Sequence, residues 1–315
     1  MFSNAEYVYE VYKERSFSRA AQNLYISQPA LSVTIKRIES RIGAPIFDRS
    51  TNPIGLTECG QKYIEVVKQM MDLQNGFVNY LNDLEDLKAG VVNVGGSNLF
   101  TSCLLPPIIA EYKHRYPAVE INVVEANTPH LDHLLMEGRL DLILDNFVFD
   151  KKTHDLRLYR RETLLLAVPA SFPVNRQLKN HLITREDVLS GRFKDPDKTP
   201  APFSNFKDLP FILLKAGNDT RDRAMTSFAE HKIQPQIILE LDQQMTSYQV
   251  SCQGLGISFV TDTLIRHVAQ DKHICFYKLD ASCNERDLCF YRKKSKYVTR
   301  AVREFLTIAE ALADP

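Results

Sequence analysis

Apolar residues recur at Ala5, Val8, Tyr9 and Tyr12, the three-and-four spacing that turns one side of a helix toward a core. Ser3 stands where an N-cap belongs, and the pattern stops near Glu14. Ser18 is placed to cap a short second helix over 19–24, with Ala20, Ala21 and Leu24 packing on the first. After a turn at 25–26, Ser27 caps a third helix and Pro29 sits in its first turn, where a missing N–H costs little. That helix puts Leu31, Ile35, Ile38 and Ile42 on one face, leaves Gln28, Ser32, Lys36 and Arg37 on others, and stops at Gly43. Residues 45–57, broken by Pro53 and Gly55, read as a two-stranded wing carrying Arg49 toward phosphate or a minor groove.

From Thr57, a good N-cap, to Lys88 there is no proline. Tyr63, Val66, Val67, Met70, Leu73, Phe77, Leu81, Leu84 and Leu87 recur at intervals of three or four, with Gly76 as a local weak point. The span predicts a helix of roughly 45 Å. Its stripe is too apolar for water, so it pairs with a second copy or, as the lesser alternative, packs on its own core. Beyond residue 90 the pattern alternates strands and helices: strands at 91–94, 120–125 and 140–144, helices at 104–112 and 131–136. A second set follows, with strands at 163–168, 211–214, 237–241 and 257–260 and helices at 221–231 and 246–253. Late strands at 274–278 and 288–292 and a final helix at 297–312 are expected to return to the first set. Residues 171–207, with Pro173, Pro196, Pro200 and Pro202, read as a long loop or lid.

Three short helices with a tight turn before the last form a helix-turn-helix, whose third helix presents its first residues to base edges in the major groove. Gln28 can read adenine bidentately, Ser32 either base type, and Pro29 and Ala30 a thymine methyl. The runs Ser16-Phe-Ser-Arg-Ala-Ala-Gln-Asn-Leu-Tyr-Ile-Ser-Gln-Pro-Ala-Leu-Ser32, Ile35-Lys-Arg-Ile-Glu39, Gly43-Ala-Pro-Ile-Phe-Asp-Arg49 and Leu56-Thr-Glu-Cys-Gly60 resemble the DNA-binding domain of LysR-type transcriptional regulators. Val33 and Thr34 stand where that family commonly has Arg after the serine, so no operator sequence carries over; Val33 suits a thymine methyl. The DNA-facing candidates are Ser18, Arg19, Ser27, Gln28, Pro29, Ala30, Ser32, Val33, Lys36, Arg37 and Arg49.

The resemblance implies an α/β chain with an N-terminal winged helix-turn-helix, a long linker helix and a two-subdomain, periplasmic-binding-protein-like (type II) sensor. The boundaries fall at 1–57, 58–88 and 89–315, with subdomain I about 89–163 plus 269–315 and subdomain II about 164–268. It also implies homodimers or homotetramers on an interrupted inverted repeat of double-stranded DNA, a small-molecule effector and contact with RNA polymerase. In open α/β sheets ligands sit beyond the carboxyl ends of strands, where helix starts offer N–H groups. Segments that fit are Ser97 and Asn98 leading into Phe100, Thr101 and Ser102; Asn127 and Thr128; Asn146; Asn218; and Thr246. Singly, each of these is equally a cap or turn former; together they suit a carboxylate or an amino acid.

Charge changes little: Lys plus Arg equals Asp plus Glu at 39 each, so any basic footprint is local, and residues 1–56 hold seven basic residues against five acidic. Hydrophobic content of 44% with no run near the roughly 20 residues of a membrane span predicts a soluble chain, and the opening Met-Phe-Ser-Asn-Ala-Glu a cytoplasmic one. No metal or cofactor is implied: the cysteines form no C-x-x-C pair, and His130 and His133 lack a neighbouring glutamate base and a third ligand. Gly254-Leu-Gly-Ile lacks the later glycine of a dinucleotide loop, so an enzyme is not expected. A redox-sensing regulator is the alternative, through Cys103 near a helix N-terminus or Cys275, Cys283 and Cys289. A binding protein without DNA contact is another, which deletion of residues 1–57 would separate.

Overall fold

A computed structural model of the chain describes residues 2–83, 90–269, 271–280 and 284–313. Two compact units emerge, Met1–Leu84 with Ser295–Thr299, and Glu85–Lys294 with Arg300–Pro315.

In the first unit, α1 (Ala5–Glu14) starts from Asn4, not Ser3; Asn4 adopts φ 63°, which asparagine tolerates better than serine. The second helix, α2 (Phe17–Asn23), is capped by Ser16, whose Oγ accepts from the Arg19 amide at 3.4 Å. Ser18 therefore lies in the first turn and is no cap. Phe17 decides the register: its ring is buried, which draws it into the helix. Ser27 caps α3 (Gln28–Ile42) as expected, accepting from the Ala30 amide, and Gly43 closes it at φ 82°. Val8, Val11, Ala20, Ala21, Leu31, Ile35 and Ile38 form the core between the three helices. Full burial of each larger aliphatic side chain contributes about 1.5–3 kcal/mol.

The wing is a short antiparallel pair, β1 (Phe47–Asp48) and β2 (Gly55–Leu56). Thr57 then caps α4 (Glu58–Asp83), its Oγ1 accepting from the Gly60 amide at 2.9 Å. A Cβ at Gly60 would lie 2.0 Å from the Ile46 carbonyl oxygen, so only glycine lets the helix start this close to the wing. Tyr63, Ile64 and Val67 bury on the unit's own core, while Val66, Met70, Leu73, Phe77 and Tyr80 stay exposed. The expected stripe positions Leu84 and Leu87 lie outside the described residues.

The second unit opens with β3 (Val91–Gly96), α5 (Asn98–Cys103), α6 (Leu105–Arg115), β4 (Glu120–Glu125), α7 (Thr128–Met136) and β5 (Leu142–Asp145). β4 and β5 flank β3 in parallel. A 16-residue strand, β6 (His154–Pro169), leads into α8 (Val174–Gln177), β7 (Leu182–Ile183) and α9 (Arg185–Leu189). The remainder is β8 (Pro210–Leu214), α10 (Asp219–Glu230), β9 (Gln236–Leu241), α11 (Gln244–Cys252), β10 (Ile257–Thr261), α12 (Asp262–His267), β11 (Ile274–Lys278), β12 (Glu285–Lys293) and α13 (Arg300–Ala311). The strand order is β4-β3-β5-β12-β6-β10-β8-β9, with β11 on β6 and β7 on β11.

One strand thus serves two sheets. Residues 154–163 of β6 pair with β12, and residues 164–169 pair with β10 and β11. At the crossing point the Thr163 amide donates to the Asp262 carboxylate at 2.8 Å and the Leu164 amide to the Asn284 carbonyl at 2.7 Å.

Two expectations change. Ile274–Lys278 joins the second sheet and not the first, because Tyr277 is buried among Phe206, Leu166 and Leu178. Residues 171–207 are neither loop nor lid: Val174, Leu178, Ala201, Phe203 and Phe206 bury in the core of the second sheet. Their helices escape detection because, at four and five residues, neither is long enough to show a helical period.

Candidate nucleic-acid interface and effector cleft

The exposed side of α3 carries Gln28, Pro29, Ala30, Val33, Lys36 and Arg37, with Ser32 half-buried and Ser27 at the cap. Opposite them Leu31, Ile35 and Ile38 face the core, so the packing that builds the helix also dictates which side chains face outward. Thr34 turns its hydroxyl back onto the Ala30 carbonyl at 2.9 Å, leaving Val33 as the exposed neighbour of Ser32. Lys36 and Arg37 make no ion pair among the described residues. Ser18 and Arg19 sit exposed in the first turn of α2, and the Arg19 guanidinium donates to the Glu14 carbonyl at 2.6 Å. Arg49 is exposed on the wing but already partnered. Its guanidinium pairs with Glu39 at 3.2 Å and covers the Phe17 ring at 5.1 Å, while the same Glu39 carboxylate accepts the amides of Ile46 and Phe47. Arg49 therefore clamps the wing to α3.

In the second unit, a cleft of about 100 Å³ lies at the carboxyl ends of five strands. Ser97 follows β3; Ala126, Asn127 and Thr128 follow β4; Asp145 and Asn146 end β5; Gly217, Asn218, Asp219 and Thr220 follow β8; and Asp242, Gln243 and Gln244 follow β9. Asn127 caps α7 by accepting from the His130 amide at 3.1 Å, and Asn218 caps α10 through the Thr220 amide at 2.9 Å.

Of the expected residues, Ser97, Phe100, Asn127, Thr128, Asn146 and Asn218 line this cleft, whereas Asn98, Thr101, Ser102 and Thr246 do not. Asn98 and Thr101 are held by Glu125, at 3.1 Å each, and Thr101 also bonds the backbone of α5. Ser102 and Thr246 lie elsewhere on their helices. Sequence reasoning missed Asp145 and Arg286, while Gln244 lies in the segment 243–247, around Thr246, that it places at the cleft. Arg286 comes from β12, with no loop or glycine to flag it; it is buried, bonded to Glu162 at 2.9 Å, Asp219 at 2.7 Å and Thr220 at 3.1 Å. Asp145 accepts from the Thr128 hydroxyl at 2.8 Å and the Phe147 amide at 2.9 Å, and burial nonetheless raises its pKa. A charged residue inside the apolar run Leu142–Asp145 was the signal available for it.

Cys103 does stand just before the start of α6, but it lacks the lowered pKa expected of it. It is the last residue of α5, where burial raises its pKa, as burial does for Cys275 and Cys289. Cys275 and Cys289 belong to different sheets, and Cys283 lies outside the described residues.

Both parts match family models. The bacterial regulatory helix-turn-helix protein, lysR family, matches residues 2–61, and the LysR substrate binding domain matches residues 85–313. The chain belongs to the LysR family. It is a LysR-type transcriptional regulator with a DNA-binding helix-turn-helix and an effector-binding domain, not an enzyme. The LysR chain is 26% identical over 309 residues to the uncharacterized HTH-type transcriptional regulator YcgK of Bacillus subtilis, covering 96% of this chain and 92% of that one. Its fold is similar to that of a full-length OxyR variant from Pseudomonas aeruginosa, at TM-score 0.66 and 21% identity over 97% and 92% of the two chains. It is also similar to the BenM effector binding domain with its effector benzoate, at TM-score 0.55 and 19% identity over 72% and 96%. Among the described residues no helix is long and apolar enough to cross a membrane.

Proposed function

We propose that this LysR regulator reads double-stranded DNA at an interrupted inverted repeat and changes its hold on that DNA when a small carboxylate or amino acid enters the cleft. Residues 1–57 bind DNA, 58–88 join two copies, and 89–315 hold the effector. Gln28, Pro29, Ala30, Ser32 and Val33 meet base edges, while Ser18, Arg19, Ser27, Lys36 and Arg37 meet phosphates. The exposed positions Val66, Met70, Leu73, Phe77 and Tyr80 are spaced 4, 3, 4 and 3, the heptad seam that a second α4 would cover. Paired dimers form a tetramer, and effector-driven repacking changes DNA bending and the recruitment of RNA polymerase in the cytoplasm.

The observation that carries the effector reading is the convergence of five strand-end loops, with polar side chains and helix starts, on one cleft. The BenM domain's benzoate supports a carboxylate by likeness of fold. The test is a footprint of the full chain on DNA upstream of its own gene, at stated salt, with and without small carboxylates and amino acids. Two protected half-sites about one or more helical turns apart, altered by one compound, support the reading. Uniform, salt-sensitive coating that no compound alters removes it.

A further inference from the structure

We infer that the effector of this cleft carries a protonated amine, seated against Asp145. The inference rests on the cleft being the effector site and concerns the chemistry that the site selects. The charged lining comprises Asp145, Asp219, Asp242 and Arg286, three carboxylates to one guanidinium. Two of those carboxylates are already neutralised. Asp242, at the exposed rim, takes Lys215 at 2.8 Å, and Asp219 takes Arg223 at 2.8 Å and Arg286 at 2.7 Å. Arg286 is committed on its other side to the fully buried Glu162.

Asp145 is different. It is 2% exposed, and its hydrogen-bond donors, the Thr128 hydroxyl and the backbone amides of Asn146 and Phe147, bring no positive charge. Among the described residues no lysine, arginine or histidine pairs with it. Its hydrogen bonds are satisfied while its charge is not, and a buried carboxylate in that condition is held at a cost that a cation would offset. Burial raising its pKa is the same imbalance seen from the proton's side; the field of Arg286 acts the other way and does not outweigh it.

A ligand that offers only a carboxylate meets the opposite situation. It adds a negative charge beside the unneutralised Asp145, and beyond the helix-start amides it gains a full counter-ion only by pulling Arg286 from Glu162 or Asp219. Breaking a buried pair in that way is strongly unfavourable. An ammonium beside Asp145 needs no such rearrangement. Any carboxylate or hydroxyl on the same molecule can then turn to Ser97, Asn127 or Gln243. The class is therefore an amino acid or a small hydroxylated amine.

The experiment is calorimetric titration of the full chain with compounds matched except for the amine: L-alanine against propionate, L-glutamate against glutarate, 4-aminobutyrate against butyrate, ethanolamine against ethylene glycol. The amine of at least one pair binds, with its counterpart at least tenfold weaker. Asp145→Asn, similar in shape and checked for folding by near-UV circular dichroism, removes that preference. A nitrogen-free carboxylate that binds as well as its amine counterpart overturns the inference and leaves the effector site standing. Retained preference in Asp145→Asn overturns the contact with Asp145. If no compound of either kind binds, the cleft reading and the inference fall together. The pairwise comparison in the unaltered chain holds whether or not the variant folds.

Discussion

Arg49 points its guanidinium inward from the wing, between the Glu39 carboxylate and the face of Phe17. A phosphate contact and a structural clamp make different demands on the same residue type, and salt separates them. Arg49→Ala is expected to lower the thermal midpoint of the DNA-binding unit by removing about 1 kcal/mol of ion-pair and ring contact. The slope of log affinity against log salt should stay nearly unchanged. Lys36→Ala or Arg37→Ala should do the reverse, reducing the slope by about 1 with little effect on melting. Equal slopes for all three variants would return Arg49 to the phosphates. Asp187 supplies a second test, in acid. Burial opposes its ionisation, yet the Thr184 hydroxyl and amide and the Lys198 ammonium outweigh that and hold its pKa at about 2, against 3.8 in the unfolded chain. A depressed carboxyl stabilises above its unfolded value and loses that contribution as pH falls through the folded one. Between pH 4 and 2 the domain should lose about 1–2 kcal/mol at this site. Melting curves of Asp187→Asn over that window should be flatter than those of the unaltered chain; identical acid limbs would show that the site contributes nothing there.

At the scale of elements, α4 is divided along its length. Its first turns bury Tyr63, Ile64 and Val67 in the unit's own core, and from Val66 to Tyr80 a separate seam faces outward, with Leu73 73% and Phe77 62% exposed. Leu73→Glu with Phe77→Glu should give a monomer at micromolar concentration by sedimentation and weaken operator binding, since each recognition helix would bind alone; an unchanged dimer would place the interface elsewhere. Elements of this kind were legible because periodicity records one-sided burial: the α3 face, the wing and β4 fall where the pattern puts them. The losses have physical causes. Ser16 and Ser18 are chemically equivalent caps, and only the burial of Phe17 chooses between them. The first half of β6 alternates charged and apolar residues, His154 to Glu162, without the apolar run that marked its second half. Arg286 became a cleft residue through pairing of β12 with β6, and no short motif encodes a contact between Arg286 and Glu162, 124 positions apart.

For the whole molecule, on the function proposed, labour divides between an α3 that chooses DNA and a cleft that chooses the effector. Gln28→Ala or Ser32→Ala should lose site selection in a footprint yet keep effector binding by calorimetry. Thr128→Ala, which deprives Asp145 of a donor, should bind DNA and fail to respond, whereas Thr101→Ala, tied to Glu125 outside the cleft, should respond normally. A Thr101 variant as deaf as the Thr128 variant would show that the response runs through α5 and not through the lining. Couplings between such sites are commonly about 1–3 kcal/mol, a several-fold to hundredfold change in affinity. How that energy travels depends on β6. A hinge made of loops would let the lobes on either side of the cleft swing almost freely, but here a single extended strand of 16 residues belongs to both sheets, and its crossing point is tied down by Asp262 and Asn284. Such a strand behaves as a torsion bar. On the proposed reading, a strand shared by both sheets should carry the effector's closing of the cleft as twist, and slower amide exchange at Thr163 and Leu164 is where its arrival should be read.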